Sequence, residues 1–416
     1  MRRTFVFLFA VSPIFSVHAA PVSQETSPPP TQSPIQITFP QKDGIKFSTL
    51  DGETTETIRG YIQAYNVNFN GNDADTVNHI ANLNNGLLIP SSRVEILGVL
   101  HRVWNYRFSY DFAFSKIAYA YWQYTGINHF EIMAGQYKPA FSLGFLTDRV
   151  DNTFMARPLP VEAFTAGFAM GLQTEAFTKN WTFTGGVFGP NSADDINGQR
   201  VVGSAPIGFN GRVTYAPIHD PRRVLHFGLG NYYRQTILSR YAQFRSTPEM
   251  LSANNIADGC LVNTGVINNS NEYDVSNAEV AIVAGSFSVE SEYFYDRVNR
   301  TGNNPTLTFG GGYIAASYFL TGENRVYDFL LGDFNNISRI RHGYGAWEMA
   351  ARLSEVNLDS QNIIGGKEDN ATVALDYYPI QRIKLALNYV YADATPSGNR
   401  LNRHSNIIGV MLQALF

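Results

Sequence analysis

Ile383-Lys384-Leu385-Ala386-Leu387-Asn388-Tyr389-Val390-Tyr391 puts Ile383, Leu385, Leu387, Tyr389 and Tyr391 on one face of an extended chain, with Lys384, Ala386, Asn388 and Val390 opposite. Phe108, Tyr110, Phe112 and Phe114 share a face against Arg107, Ser109 and Asp111. Val94, Ile96, Gly98 and Leu100 oppose Arg93, Glu95 and His101, and Phe287, Val289, Ser291, Tyr293 and Tyr295 oppose Glu290, Glu292 and Asp296. Side chains that alternate with period two fit strands with one apolar and one polar surface. One such segment would also suit a soluble sandwich. Their repetition from Thr57 to the end, in units of about ten residues divided by turn residues, fits a transmembrane antiparallel β-barrel with lipid outside and water inside.

The chain's ends agree with this reading. Ile408, Val410, Leu412, Ala414 and Phe416 alternate with Gly409, Met411 and Gln413, and the last residue is aromatic, as a barrel's final strand would be. Closing it onto a first strand near 58–67 removes the open edge that lipid forbids. At the other end Met1-Arg2-Arg3, an apolar stretch through Ile14 and the small residues before Ala19 form a secretory signal, expected to be cut after Ala19. Its apolar run is shorter than the ~20 residues of a spanning helix. Residues 20–42, rich in Pro, Ser and Thr, are expected to form a flexible periplasmic leader, with the barrel occupying 43–416. The expected location is the bacterial outer membrane.

Composition supports the same conclusion. Aromatic residues are 13% of the chain and charged residues 16%, against ~25% charged in soluble domains. Mean hydropathy is −0.16, as expected where lipid-facing and water-facing residues average out. Tyr and Phe suit interfacial girdles, and 35 Gly suit many turns. The formal charge of −4 argues against nucleic acid as a partner. The single Cys260 excludes a disulfide framework.

Short connections are expected at 103–105, 178–180, 217–223 and 378–381. Long ones are expected at 68–92, 138–167, 190–206, 236–274, 297–305, 322–345 and 393–405. Such a division assigns short turns to the periplasmic end and long loops to the outside. The tally is about sixteen strands, wide enough for an aqueous channel.

Ala134-Gly135-Gln136-Tyr137-Lys138-Pro139-Ala140-Phe141-Ser142-Leu143 resembles the GQ(F/Y)K-x-x-F-S-L stretch of the phosphate-selective porin O/P family. Thr153 to Pro160 resembles that family's TFMER-x-LP, Ser317 to Arg325 its SYFLTGE-x-R, Gly345 to Arg352 its GAWE-x-AAR, and Gly365 to Asn370 its GGKEDN. The motifs stand in family order. The resemblance implies a homotrimer of sixteen-stranded barrels, each with a third outer loop folded inward to narrow the pore, and a preference for phosphate. Three features depart from the family: Ala156 replaces its glutamate, a Pro-rich leader is present, and the chain is acidic where well-known members line the lumen with Arg and Lys.

A passive pore needs a constriction whose charges replace part of a solute's hydration. The loop 138–167 supplies Lys138, Arg149 and Arg157 as anion-attracting candidates, with Asp148, Asp151 and Glu162 fixing their geometry. The alternative is that Lys138 and Arg157 pair with acids to pin the loop to the wall, and both readings stand. Arg59, Arg93, Arg107, Arg212, Arg352 and Lys384 are expected on the lumen wall, because charge facing the bilayer midplane costs about 2–4 kcal/mol. Glu95, Asp111, Glu290, Glu292, Glu348 and Asp376 lie on comparable faces, so weak selectivity is expected. The solutes expected are small hydrophilic molecules, anions such as phosphate among them.

There is no His-Glu-x-x-His, no Gly-x-Ser-x-Gly and no Gly-Lys-Ser/Thr phosphate loop, so neither an enzyme nor a bound cofactor or metal is expected. Two other readings remain: a surface adhesin acting through its long loops, and a hydrolase with Ser or Asp beside His at the rim.

Overall fold

The computed structural model describes residues 35–40, 44–70, 83–165, 167–189, 195–196, 199–200, 207–236, 241–253, 259–397 and 403–416. The expected signal peptide, 1–19, lies outside them.

Sixteen strands form the wall: β1 Thr55–Asn70, β2 Gly86–Leu100, β3 Trp104–Asp111, β4 Lys116–Ile127, β5 Phe130–Tyr137, β6 Ala169–Phe177, β7 Trp181–Phe188, β8 Gly208–Asp220, β9 Arg223–Gln235, β10 Ser270–Ala284, β11 Phe287–Arg300, β12 Leu307–Phe319, β13 Ala346–Ser360, β14 Ile363–Ile380, β15 Ile383–Thr395 and β16 Arg403–Leu415. Each pairs antiparallel with the next, and β16 returns to β1 with a register running from Asn406↔Asn70 to Leu415↔Tyr61. The cylinder is closed, as lipid requires.

β13 shows the alternation at its plainest. Glu348, Arg352 and Ser354 are buried inside while Trp347, Met349 and Leu353 face outward. All four tryptophans, Trp104, Trp122, Trp181 and Trp347, face outward close to one rim. There they pack against Tyr124, Tyr106, Tyr215 and Tyr377, with ring centroids 4.4–5.2 Å apart. Amphipathic rings gathered at one level mark a membrane–water interface.

The seam depends on a glycine. Phe416 and Gly60 exchange two backbone hydrogen bonds of 2.9 Å. A Cβ on Gly60 would lie 2.5 Å from the Phe416 ring, so the terminal aromatic folds over a position only glycine can occupy. Below the end of β16, Ile45–Ser48 takes over the pairing with the foot of β1, and Gln36–Thr38 pairs with Ile45–Ser48 in turn. The far end of the expected leader is therefore strand, held by backbone bonds that composition does not register.

The short turn placed at 103–105 falls at 101–103 instead. His101 and Arg102 adopt φ of 50° and 64°, and Trp104 already belongs to β3. A larger correction concerns 322–345, expected outside. Counting strands puts the β12–β13 connection at the short-turn end. Side-chain contacts with neighbouring short turns agree: Arg222 donates to the Gly322 carbonyl at 3.1 Å, Asn324 to the Pro221 carbonyl at 2.7 Å and Gln381 to the Ser338 carbonyl at 3.4 Å. Conversely, the outer end has short connections at 112–115 and 361–362.

Among the described residues three segments enter the barrel. The third loop brings two short helices, α1 Leu143–Leu146 and α2 Leu159–Phe164. The β9–β10 connection brings Phe244, Met250 and Leu251, and the β12–β13 connection brings a hairpin of Arg325–Asp328 and Asp333–Ile337. Phe141, Phe164, Phe244, Phe294 and Phe309 join one apolar cluster, and Met155, Met250, Val390 and Met411 another, so much of the interior along β8 to β16 is packed dry.

Candidate pore constriction

α1 hangs between charges that suit its polarity. At its first turn Leu143 N–H donates to Glu279 Oε2 at 2.8 Å and Gly144 N–H to Glu292 Oε1 at 2.7 Å. At its other end Arg157 donates from Nε to the Gly144 carbonyl at 3.2 Å, and from Nη2 to Phe145 and Thr147 at 3.2 and 3.1 Å. Lys138 Nζ donates to the Leu146 carbonyl at 3.0 Å and to Asp148 Oδ1 at 2.8 Å. Carboxylates at the amino end and cations at the carboxyl end satisfy the backbone groups a short helix leaves unpaired. Arg157 spends these donors on carbonyls of its own loop, and Lys138 pairs with Asp148 of the same loop. Burial among these groups pulls the Lys138 amine down to about 8 and Arg157 down to about 10. Burial would raise the Asp148 carboxyl, yet Lys138, Arg107 and Arg93 hold it well below the usual range.

The remaining loop residues are placed separately. Arg149 is half-buried and its charge acts on the Tyr65 hydroxyl, which donates to the Met155 carbonyl at 2.8 Å. Asp151 lines the open cavity. Glu162 sits in the first turn of α2 and accepts from Thr247 at 2.7 Å, its carboxyl raised by burial.

All six predicted wall bases sit on lumen-facing positions, and their roles divide. Arg212 pairs with Glu279 at 2.6 Å and donates to the Leu331 and Gly332 carbonyls of the inner hairpin segment. Arg352 donates to Glu249 at 3.1 Å and to the Ala156 carbonyl at 3.0 Å. Lys384 pairs with Asp376 at 2.8 Å and donates to Asn152 and Thr153. These three latch the inward segments to the wall. Arg93 pairs with Asp111 at 3.3 Å. Arg59 and Arg107 both grip Glu95, at 2.9 and 2.6 Å, and Arg107 continues to Asp148 at 3.0 Å and lies over the Tyr119 ring.

Arg59–Glu95–Arg107–Asp148–Lys138 is thus one unbroken alternation of charge. It borders a cavity of about 480 Å³ on the β1–β7 side, whose lining also includes Tyr121, Glu175, Asp333 and Leu331. Partners that sequence reasoning missed are Glu249, Glu279 and the carbonyls of the inner hairpin. Glu279 had a signal, since it alternates with apolar Val280 and Ile282 in β10. Glu249 had none, because its loop has no period. His226, at 3.2 Å from Glu279 and 2.6 Å from Tyr327, belongs to the buried wall rather than to a rim with Ser. Among the described residues no cluster of His, Cys, Asp and Glu is arranged to hold a metal ion.

The family model for phosphate-selective porin O and P matches residues 62–416. Porin O of Pseudomonas aeruginosa is 25% identical over 395 residues, spanning 88% of this chain and 86% of that protein. An uncharacterized protein of Caulobacter vibrioides is 28% identical over 305 residues, 68% of this chain, which spans only 59% of that relative's length. The anion-selective porin from Comamonas acidovorans superposes with TM-score 0.54 at 12% identity over 88% of this chain and all of that one. OmpTdeltaL8, an outer membrane protein of Vibrio cholerae, gives 0.54 at 9% over the same shares. At these identities the likeness is one of fold. The family and the closed cylinder are those of an outer-membrane channel rather than of an enzyme, and the chain belongs to the phosphate-selective porin O and P family.

Proposed function

We propose that the mature chain, released from residues 1–19 and assembled as a homotrimer, is a passive, non-catalytic pore for small hydrophilic solutes with a mild preference for anions. The observation that carries this is the charge chain beside the cavity. Three bases and two acids alternate along it, with Asp151, Glu175 and Asp333 elsewhere on the same lining, so both signs face the open space. A string rich in bases within a wall of mixed sign attracts anions without creating a deep phosphate trap, and conduction needs sites weak enough to release their ions. Porin O is named as a porin and the Comamonas acidovorans protein as an anion-selective one, and one solved relative-in-fold, OmpT of Vibrio cholerae, is described in a trimer form.

The test is stepwise current from purified protein in planar bilayers, with reversal potential read across a KCl gradient. A modest displacement to the chloride side, with chloride current persisting in millimolar phosphate, is the expected result. Absence of conductance steps would reject the channel, and full chloride block by micromolar phosphate would reject the weak selectivity.

A further inference from the structure

Two acid–acid pairs converge on the inner end of the open cavity. In the wall, Glu131 of β5 stands directly opposite Glu175 of β6. In the inner hairpin, Asp328 stands opposite Asp333. Like charges facing one another across strands destabilise a sheet, so packing supplies no reason for either pair. Glu175 and Asp333 line the cavity, and Glu131 shares its strand face with Met133, which also lines it. Asp328 acts electrostatically on Glu131, Glu175 and Asp333 alike, which ties the two pairs into one group.

A second observation points to a ligand. Glu175 is 8% exposed and Asp333 5%, and Glu175 Oε1 and Asp333 Oδ1 are buried without a hydrogen-bond partner. Buried acceptors are ordinarily satisfied, and leaving one unmade costs about 1–3 kcal/mol. The nearby bases are committed elsewhere: Arg212 to Glu279 and two carbonyls, Lys138 to Asp148 and two carbonyls. Glu131 and Asp328 are held in place, the first by Gln123 and the second by the Leu330 and Leu331 amides.

We propose that Glu175 and Asp333, backed by Glu131 and Asp328, form a station at the inner end of the lumen for the ammonium group of a small organic solute. An ammonium carries three donors on a compact charge, and the station brings two carboxylates, one from the wall and one from the inner hairpin, to one cavity. A solute bearing an amine would meet it after passing the basic chain, so the pore handles both signs in sequence. This rests on the channel reading and names a solute class for it.

The test uses the full mature protein in planar bilayers with 1,4-diaminobutane added from the turn-end side. Concentration-dependent block of the KCl current is expected, about tenfold weaker in Glu175→Gln/Asp333→Asn, the worth of one charge-assisted hydrogen bond. The reversal potential of that variant should move further toward chloride. Stepwise conductance with no diamine block overturns the station alone, whereas absence of conductance in the parent protein overturns the channel with it. If the double variant does not insert, Glu175→Gln carries the test, and block equal to the parent's overturns the proposal.

Discussion

Along β8 to β16 the buried bases of the wall grip loops, whereas along β1 to β4 they grip acids beside open space. Arg212, Arg352 and Lys384 each reach a backbone carbonyl of an inward segment, and the apolar side chains of those segments pack around them. Arg59 and Arg107 share Glu95 at the edge of the cavity. The same residue type on the same face of the same barrel thus serves closure in one half and passage in the other. What separates the two is that backbone carbonyls of inward segments take donors in one half, whereas carboxylates, the loop's own Asp148 among them, take those of Arg59 and Arg107 in the other.

The comparison breaks most visibly at Arg352. Its side chain is 2% exposed and Glu249 is fully buried, so Arg352→Ala would strand a carboxylate in a dry interior. Removing one partner of a buried pair costs about 3–5 kcal/mol. Urea unfolding in lipid vesicles should show that loss. The surviving pore should conduct more than the parent, because the 236–269 connection is no longer latched. A loss below about 1 kcal/mol would mean that apolar packing alone holds the loop.

Gly60→Ala tests the wall rather than its contents. The new methyl would lie 2.5 Å from the Phe416 ring and 2.6 Å from the Arg93 carbonyl, in the seam both halves share. Overpacking of this kind costs about 1–3 kcal/mol. The expected signs are a lower unfolding midpoint and slower folding into vesicles, with selectivity unchanged.

The barrel was legible because lipid imposes period two on every strand, as Trp347 to Leu353 shows by alternating with Glu348 to Arg352. Lumen placement of the six bases followed from the same cost of charge in hydrocarbon. Their partners did not follow. Glu249 lies in a connection without periodicity, and backbone carbonyls such as Leu331 have no residue signature. The end of the barrel to which 320–345 belongs was hidden for another reason. Loop length suggested the outside, while strand parity decides the matter, and parity needs every strand counted, including those joined by the short outer connections 112–115 and 361–362. The acid station was concealed likewise, since Asp333 meets Glu175 only once that hairpin turns inward from the inner end.

On the open side, Lys138 gives a smaller and pH-dependent effect. Its amine is pulled down to about 8 by burial, so it carries charge below that pH and loses it above. Deprotonation removes one positive charge from the chain while Asp148 stays ionised under the influence of Arg107 and Arg93. Anion preference should therefore decline as pH rises from 7 to 9, read as a reversal potential moving toward potassium. Lys138→Arg should flatten that dependence, because guanidinium stays charged across the range. A parent profile independent of pH would place Lys138 outside the conducting path.

Arg59→Gln should have the least effect on stability and still change the current. The side chain is 32% exposed, and Glu95 retains Arg107 at 2.6 Å once Arg59 is gone, so no buried charge is left alone. Unfolding should move by no more than about 0.5 kcal/mol, the range of surface substitutions. The lining would then carry one base fewer, and the reversal potential should move toward potassium. Set beside Arg352→Ala, this separates the two uses of arginine in the lumen: one change should shift stability by several kcal/mol, the other only ionic preference. Equal destabilisation by both would show that the open side is held together by its charges in the same way as the closed one.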